Sequence, residues 1–116
     1  MTIRYKNQGF VQTNTNKTTV LTCPADATLI VKSIYCANND ASSAILVHMN
    51  IKDSSDSNTE YEFFRSDVGA KSQVNASPQG LNLEAGDAIT VQAGTGSNKI
   101  QGLINYAQID RSQENG

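Results

Sequence analysis

The sequence has no tryptophan, a single histidine and two cysteines among its 116 residues, and charged residues make up only 17% of it. Nucleophilic catalysis needs a base held beside an activated nucleophile, and nothing around His48 marks one. The alternation of His48 with Leu46 and Asn50 predicts a solvent-facing or interface position instead. The two cysteines and His48 also lack the spacing of a zinc site. We therefore predict a protein that is not an enzyme, with no catalytic residue, no metal site and no cofactor.

The charge balance and the apolar runs limit the partners of the chain. The formal net charge is −2, which leaves no basic footprint for nucleic acid. No apolar run reaches the length of a membrane span, and the opening MTIRYKNQGF lacks the apolar core of a secretory signal. We expect neither a nucleic-acid nor a membrane partner, and a protein that is made and used without secretion.

Cys23 and Cys36 are predicted to remain reduced. Residues 17–23 and 28–37 have the pattern of two strands joined at CPADAT, and we consider the case in which they form a hairpin. Cys23 would then lie beside the turn and Cys36 about 26 Å further along the strand. A disulfide needs α-carbons about 4.4–6.8 Å apart, so this arrangement excludes a bridge.

The polar loops do not match known binding motifs. DSSDSN (53–58) has the wrong acidic spacing and no glycine for a calcium loop, and is predicted to be a hairpin loop. GTGSNK precedes a strand, whereas a phosphate loop precedes a helix. Glu60 and Glu62 lie on one strand face, which is typical of a solvated surface and not of the paired carboxylates of a glycosidase.

Short alternating strands and regular turns predict the fold class. Turn signals recur about every 8–16 residues, which is typical of an all-β sandwich or barrel. We predict a single antiparallel β-sandwich, jelly-roll or Ig-like, with seven or eight strands. Residues 17–110 form the sandwich, residues 1–16 an N-terminal arm or edge strand, and residues 111–116 a flexible tail. Gly9–Asn14 is a candidate strand, and residues 67–80 are predicted to hold one weak strand and a loop.

Alternation also predicts which side chains form the core. In residues 28–37, the set that contains Leu29, Val31 and Tyr35 is the better core face, although Ile30 and Ile34 leave the other face partly apolar. Tyr61 and Phe63 are predicted to point inward, and Gly86, in the turn AGD, to take a positive φ. The core between the sheets is predicted to contain Val31, Ile45, Val47, Met49, Ile89 and Val91.

Three segments together resemble small virion structural proteins of tailed bacteriophages. KTTVLTCPADATLIVKSIYCANND is similar to their opening strand, turn and apolar strand, and SSAILVHMNIKDSSDSNTEYEFF to their next hairpin. QGLNLEAGDAITVQAG resembles their closing element, and IQGLINYAQI their last strand. The likeness spans residues 17–109, and the cysteines at 23 and 36 depart from it. It implies a virion protein made in the host cytoplasm, and it carries over no catalytic or metal residue.

The resemblance implies that the chain acts through repeated protein–protein contacts, as a capsid decoration or a neck or tail accessory protein. Its expected partners are other virion proteins and copies of itself in a homo-oligomer. The N-terminal arm is predicted either to add to a neighbour's sheet or to form an edge strand of its own domain. The alternative function is a carbohydrate- or receptor-binding module, against which stands the lack of tryptophan. The residues predicted to contact a partner are Ile3, Tyr5, Phe10, Ile30, Ile34 and Leu46.

Overall fold

The computed structural model of the chain describes residues 2–111. Within that range the chain forms nine strands and one short 3₁₀ turn, Ser54–Asp56. The strands are β1 (Thr2–Val11), β2 (Thr18–Thr22), β3 (Ala27–Asn38), β4 (Ile45–Asp53), β5 (Thr59–Val68), β6 (Ser72–Asn75), β7 (Asn82–Leu83), β8 (Ala88–Ala93) and β9 (Ile100–Asp110). The all-β prediction is confirmed. The predicted count of seven or eight is too low, because the two-residue strand β7 also pairs with β3.

The strands form two antiparallel sheets that pack face to face. Sheet A has the order β1-β9-β3-β6, with β7 also on β3, and sheet B has the order β2-β8-β4-β5. The pairs β1·β9, β2·β8, β3·β6 and β4·β5 nest inside one another, as in a long hairpin that has been rolled up. This nesting is the jelly-roll topology, which distinguishes it from the Ig-like alternative.

Residues 17–23 and 28–37 do not form the hairpin on which the cysteine argument was based. β2 pairs with β8 in sheet B, whereas β3 pairs with β9 in sheet A, so CPADAT carries the chain from one sheet to the other. The backbone of Cys23 is held by sheet B, since its N–H donates to the Asp87 carbonyl oxygen (2.8 Å). The conclusion about the cysteines nevertheless holds, because Cys23 and Cys36 are both buried free thiols.

The faces of β3 are predicted correctly only in its first half. Leu29 and Val31 are buried, but a bulge at Lys32 shifts the register with β9 between Val31 and Ser33. One extra residue reverses the alternation of the side chains. Ile34 therefore points into the core with no exposed surface, and Tyr35 is 44% exposed. The prediction that Ile34 contacts a partner is wrong for this reason.

The six residues predicted for the core are all buried. Sheet A contributes Leu29, Val31, Ile34, Cys36, Ile100, Ile104 and Tyr106, and sheet B contributes Leu21, Ile45, Val47, Met49, Val68, Ile89, Val91 and Ala93. On β5, Phe63 is half-buried as predicted, but Tyr61 is 50% exposed on this edge strand of sheet B. Its hydroxyl instead donates to the Asp56 carboxylate.

The turn before β8 has the backbone conformation that its sequence predicts. Gly86 has φ +84°, and a β-carbon there would lie 2.8 Å from the Ser54 hydroxyl oxygen. The buried carboxylate of Asp87 accepts hydrogen bonds from the backbone N–H groups of Ser54 and Glu84, both at 2.9 Å. This turn therefore ties the β4–β5 loop to the start of β8.

The first strand and the end of the chain define the limits of the sandwich. β1 is longer than the candidate strand Gly9–Asn14, and it pairs with β9 of its own chain from Thr2 to Val11. The weak strand predicted in residues 67–80 is β6. Most of the predicted tail, from residue 112 onward, lies outside the described residues.

Candidate interaction surface

The outer face of sheet A gathers most of the exposed apolar side chains. Of the eight large hydrophobic side chains exposed in the described part of the chain, six lie at outward positions of β1, β9 and β3. We call this surface the neutral face, and its members are Ile3, Tyr5, Val11, Leu103, Ile30 and Tyr35. Grouped exposed apolar side chains are typical of interaction surfaces, so the neutral face is the candidate interaction surface of this chain.

The register of the three strands brings these side chains side by side. Tyr5, Ala107 and Ile30 form one row across the sheet, and Leu103 lies beside Tyr35 in another. Cross-strand neighbours on one face have β-carbons about 5 Å apart, so the side chains within each row are in contact. An uncharged polar row of Asn7, Asn105 and Ser33 lies between the two apolar rows. The small side chain of Ala107 is only 6% exposed, as expected beneath larger neighbours.

Lys32 is the only charged side chain among the described outward positions of β1, β9 and β3. It is the bulge residue of β3, and its Nζ lies 4.5 Å from the centroid of the Tyr5 ring. At that distance a cation is attracted to the negative face of the ring. The neutral face is therefore free of carboxylates, and its one ammonium group is held against an aromatic ring.

β1 forms one border of the neutral face, and its own side chains contribute little to the core. Eight of its ten positions are exposed, Thr2 and Phe10 are half-buried, and Phe10 is the one that packs against the core. Gly102 of β9 makes room for that ring, because a β-carbon there would overlap Phe10 and the Tyr35 carbonyl oxygen. One edge of β1 pairs with β9, and the other is the free edge of sheet A.

The outer face of sheet B has the opposite character. Glu60 accepts hydrogen bonds from Thr90 (3.0 Å) and Asn50 (3.3 Å) and forms an ion pair with Lys17 (3.3 Å). Partial burial opposes ionisation of Glu60, but the hydrogen bonds from Asn50, Thr90 and Lys17 outweigh it and lower the pKa of its carboxyl.

A second set of charges lies beside the first on sheet B. Arg65 Nη2 lies 2.8 Å from Glu62 Oε1, and His48 Nδ1 lies 3.7 Å from the same oxygen. The hydrogen bond from Arg65 lowers the pKa of Glu62. These charges are paired within the chain, although the buried Oδ1 of Asn50 has no hydrogen-bond partner.

The structure separates the predicted contact residues into four environments. Ile3, Tyr5 and Ile30 lie together on the neutral face, and Phe10 lies on the opposite side of β1. Ile34 is in the core, as described above, and Leu46, 37% exposed, lies on the outer face of sheet B.

Alternation places Leu103 on the face of β9 opposite Ile104, and Val11 is one of the apolar anchors of the N-terminal arm, but neither was among the predicted contact residues. Tyr35 and Lys32 were missed as members of the neutral face. Simple alternation could not identify these two residues, because their orientation depends on the bulge in β3.

The described residues contain no cluster of His, Cys, Asp or Glu that could hold a metal ion. Among residues 2–111 there is also no helix long and apolar enough to cross a membrane. The four tyrosines are dispersed: Tyr5 and Tyr35 lie on the neutral face, Tyr106 is buried, and Tyr61 lies beside the β4–β5 loop. They do not form a sugar-binding platform.

Neither a family model nor a curated protein matches the sequence. The fold, however, is similar to those of several solved structures. A chain of the acidic stable capsid structure of Helicobacter pylori bacteriophage KHP30 aligns with a TM-score of 0.59 at 15% identity, over 93% of this chain and 87% of that one. The likeness shows a shared fold.

Two further structures with this fold come from other kinds of assembly. The Drosophila NLP core, a pentamer-forming and histone-binding protein, aligns with a TM-score of 0.52 at 12% identity, over 95% of this chain and 100% of that one. A chain of the disulfide-linked pili of Bacillus endospore appendages aligns with a TM-score of 0.51 at 11% identity, over 92% and 86%.

Proposed function

We propose that this protein is a structural, non-enzymatic component of a bacteriophage virion that acts through repeated contacts with copies of itself and with other virion proteins. The observation that carries the proposal is the neutral face, an exposed apolar surface without carboxylates on one side of the sandwich. The fold likeness to a phage capsid chain supports the virion setting, and the resemblance of residues 17–109 to small virion proteins supports it independently.

The size of the neutral face favours an assembly of many copies. Three strands of about ten residues cover about 500 Å² at the usual rise and strand spacing. A stable pairwise interface needs about 800 Å² from each partner. A contact of this size is weak alone and becomes effective when several act together, as in a particle. The proposed role within the virion is capsid decoration or a neck or tail accessory.

A matched pair of substitutions tests the proposal, because Ile30 and Leu46 are almost equally exposed, at 39% and 37%, on opposite faces of the sandwich. Ile30→Asp places a carboxylate on the neutral face, where the partner would have to desolvate it. Leu46→Asp places the same carboxylate among the charges of sheet B. Both variants are to be supplied to a phage that lacks this chain, and their copies per virion counted by quantitative mass spectrometry.

We expect Ile30→Asp to be depleted from the particles at least tenfold, a loss of about 1.4 kcal/mol or more per contact, and Leu46→Asp to be incorporated normally. Equal incorporation of both variants would contradict the proposed use of the neutral face, and absence of the unaltered chain from virions would contradict the function. The count for the unaltered chain also separates the two roles. Hundreds of copies indicate the capsid, and about five to twelve indicate the neck or tail, where rings have low cyclic symmetry.

A further inference from the structure

We propose that residues 2–8 form an exchangeable arm, which pairs with β9 of a neighbouring copy in place of β9 of its own chain. This inference rests on the proposed function, because it names the second contact that the small neutral face requires. The partner is a second copy of this chain, and the contact is antiparallel strand pairing in the register of β1 on β9.

The first argument is the way in which the arm is held. Residues 2–8 pair with positions 104–110 of β9 in unbroken register, yet their side chains remain largely exposed. Backbone hydrogen bonds, and not burial of apolar side chains, therefore account for most of the attachment. The same bonds would form with β9 of another copy, so the two pairings have nearly the same energy per residue. Concentration and geometry then decide between them.

The second argument is that the chain is fixed immediately after the arm. Phe10 packs onto Gly102. The N–H of the buried Gln12 donates to the Ile100 carbonyl oxygen (2.8 Å), and the Asn98 N–H donates to the Gln12 carbonyl oxygen (3.1 Å). Release of residues 2–8 therefore leaves the rest of the sandwich in place.

Gly9 supplies the joint between the arm and this fixed point. It lacks a β-carbon, and it lies between the last arm residue and Phe10. Glycine absorbs large changes in φ and ψ at little steric cost, as a hinge requires. From this joint, seven extended residues reach about 23 Å.

The third argument is the charge at the end of the arm, which selects β9 as the partner strand. Arg4 Nη2 lies 3.0 Å from Asp110 Oδ2, and Arg4 Nε donates to the same oxygen (3.1 Å). Any copy of this chain offers the same carboxylate at the same register. Unrelated strand edges would lack it, so the ion pair favours exchange between identical chains.

A competing arrangement leaves β1 on its own β9 and adds a neighbour's strand to the free edge of sheet A. The two arrangements differ in which chain contributes the residues that face each other, so a disulfide reports the difference. Tyr5 faces Ala107 across β1 and β9, at a separation that suits a disulfide. Leu46 faces Asp67 within the β4–β5 hairpin, which cannot exchange with the arm.

The experiment uses the full chain in two double variants, Tyr5→Cys/Ala107→Cys and, as the control, Leu46→Cys/Asp67→Cys. Each is concentrated, oxidised and analysed on a denaturing gel without reductant. The native thiols interfere little, because burial raises the pKa of Cys36 to about 11 and also raises that of Cys23. The single variant Tyr5→Cys measures chance collisions between exposed thiols.

We expect the β1–β9 pair to give bands at twice the monomer mass and above, well beyond the Tyr5→Cys background, and the β4–β5 pair to remain monomeric. The exchange is wrong if both cysteine pairs form disulfides only within one chain. It is also wrong if the β1–β9 and β4–β5 pairs give interchain bands of equal intensity. If the β1–β9 disulfide forms only within one chain and the protein still enters virions, the arm exchange is wrong and the proposed function stands. Exchange in a chain that never enters particles would overturn the proposed function alone.

Discussion

The two outer faces of the sandwich are both formed by antiparallel strands, and the main difference between them is the number of charged side chains. The neutral face of sheet A carries Lys32 as its one charged outward position on β1, β9 and β3, and that side chain lies over the Tyr5 ring. Sheet B carries two linked groups of charges centred on Glu60 and Glu62. Average composition hides this contrast, because a charged share of 17% describes neither face.

The contrast bears on the proposed contact, because the two faces would differ in what they lose and gain when a partner covers them. Charges that are already paired within the chain gain little from a partner and cost desolvation if one covers them. Neutral apolar side chains lose little polar hydration when covered and gain from burial. The difference therefore supports the proposal that sheet A makes the contact and sheet B faces solvent.

The largest expected effect separates the inner and outer sides of sheet A. Ile34→Ala should destabilise the fold by about 2–5 kcal/mol, because it leaves a cavity in a fully buried site. Ile30→Ala, on the neutral face, should cost less than about 1 kcal/mol in the isolated chain. Urea unfolding of both variants measures the two values. Equal losses would mean that the bulge at Lys32 does not reverse the faces of β3.

The next effect concerns the attachment of β1 to sheet A. Gly102→Ala should lower stability by about 1–3 kcal/mol, since the new β-carbon would overlap both the Phe10 ring and the Tyr35 carbonyl oxygen and force them to move. Gly9→Ala is the matched control, because a β-carbon there would meet only the Gly102 carbonyl oxygen at an ordinary 3.8 Å. Thermal unfolding gives the stabilities, and amide hydrogen exchange in β1 shows whether the strand loosens. Similar behaviour of both variants would show that Phe10 does not anchor the strand.

Sequence alternation predicted one side of each regular strand well. The inward residues of β4 and β8, such as Val47 and Val91, are buried as expected, because alternation along a half-buried strand directly reflects the two sides of a sheet. Alternation failed in β3, where the extra residue Lys32 forms a bulge. Nothing in the composition around Lys32 announces a bulge, and the bulge alone decides whether Ile34 or Tyr35 is exposed.

Long-range pairing explains the other failures. CPADAT has the length and residues of a hairpin turn, and only the pairing of β2 with β8 shows that it crosses between sheets. The prediction of contact residues was limited in the same way, because it also depends on long-range strand pairing. Ile30 and Leu46 both stood out as apolar residues on a polar side of a strand, but the sequence could not show that these sides face away from each other.

The smallest expected effect tests the idea that sheet B satisfies its own charges. The pKa of Glu60 is lowered in the folded chain, so its ionised form stabilises the fold above the pKa of the unfolded chain, about 4.3. That contribution is lost as the pH falls through the lower folded value. Glu60→Gln should therefore reduce stability at pH 7 by up to about 1 kcal/mol, and the difference from the unaltered protein should shrink as the solution is acidified below about pH 4. Thermal unfolding across this range measures the difference, with Glu84→Gln, at an exposed turn position, as the control. If the stability difference between Glu60→Gln and the unaltered protein does not change with pH, Glu60 acts through its shape and not its charge. The contrast between the two faces would then have no electrostatic basis.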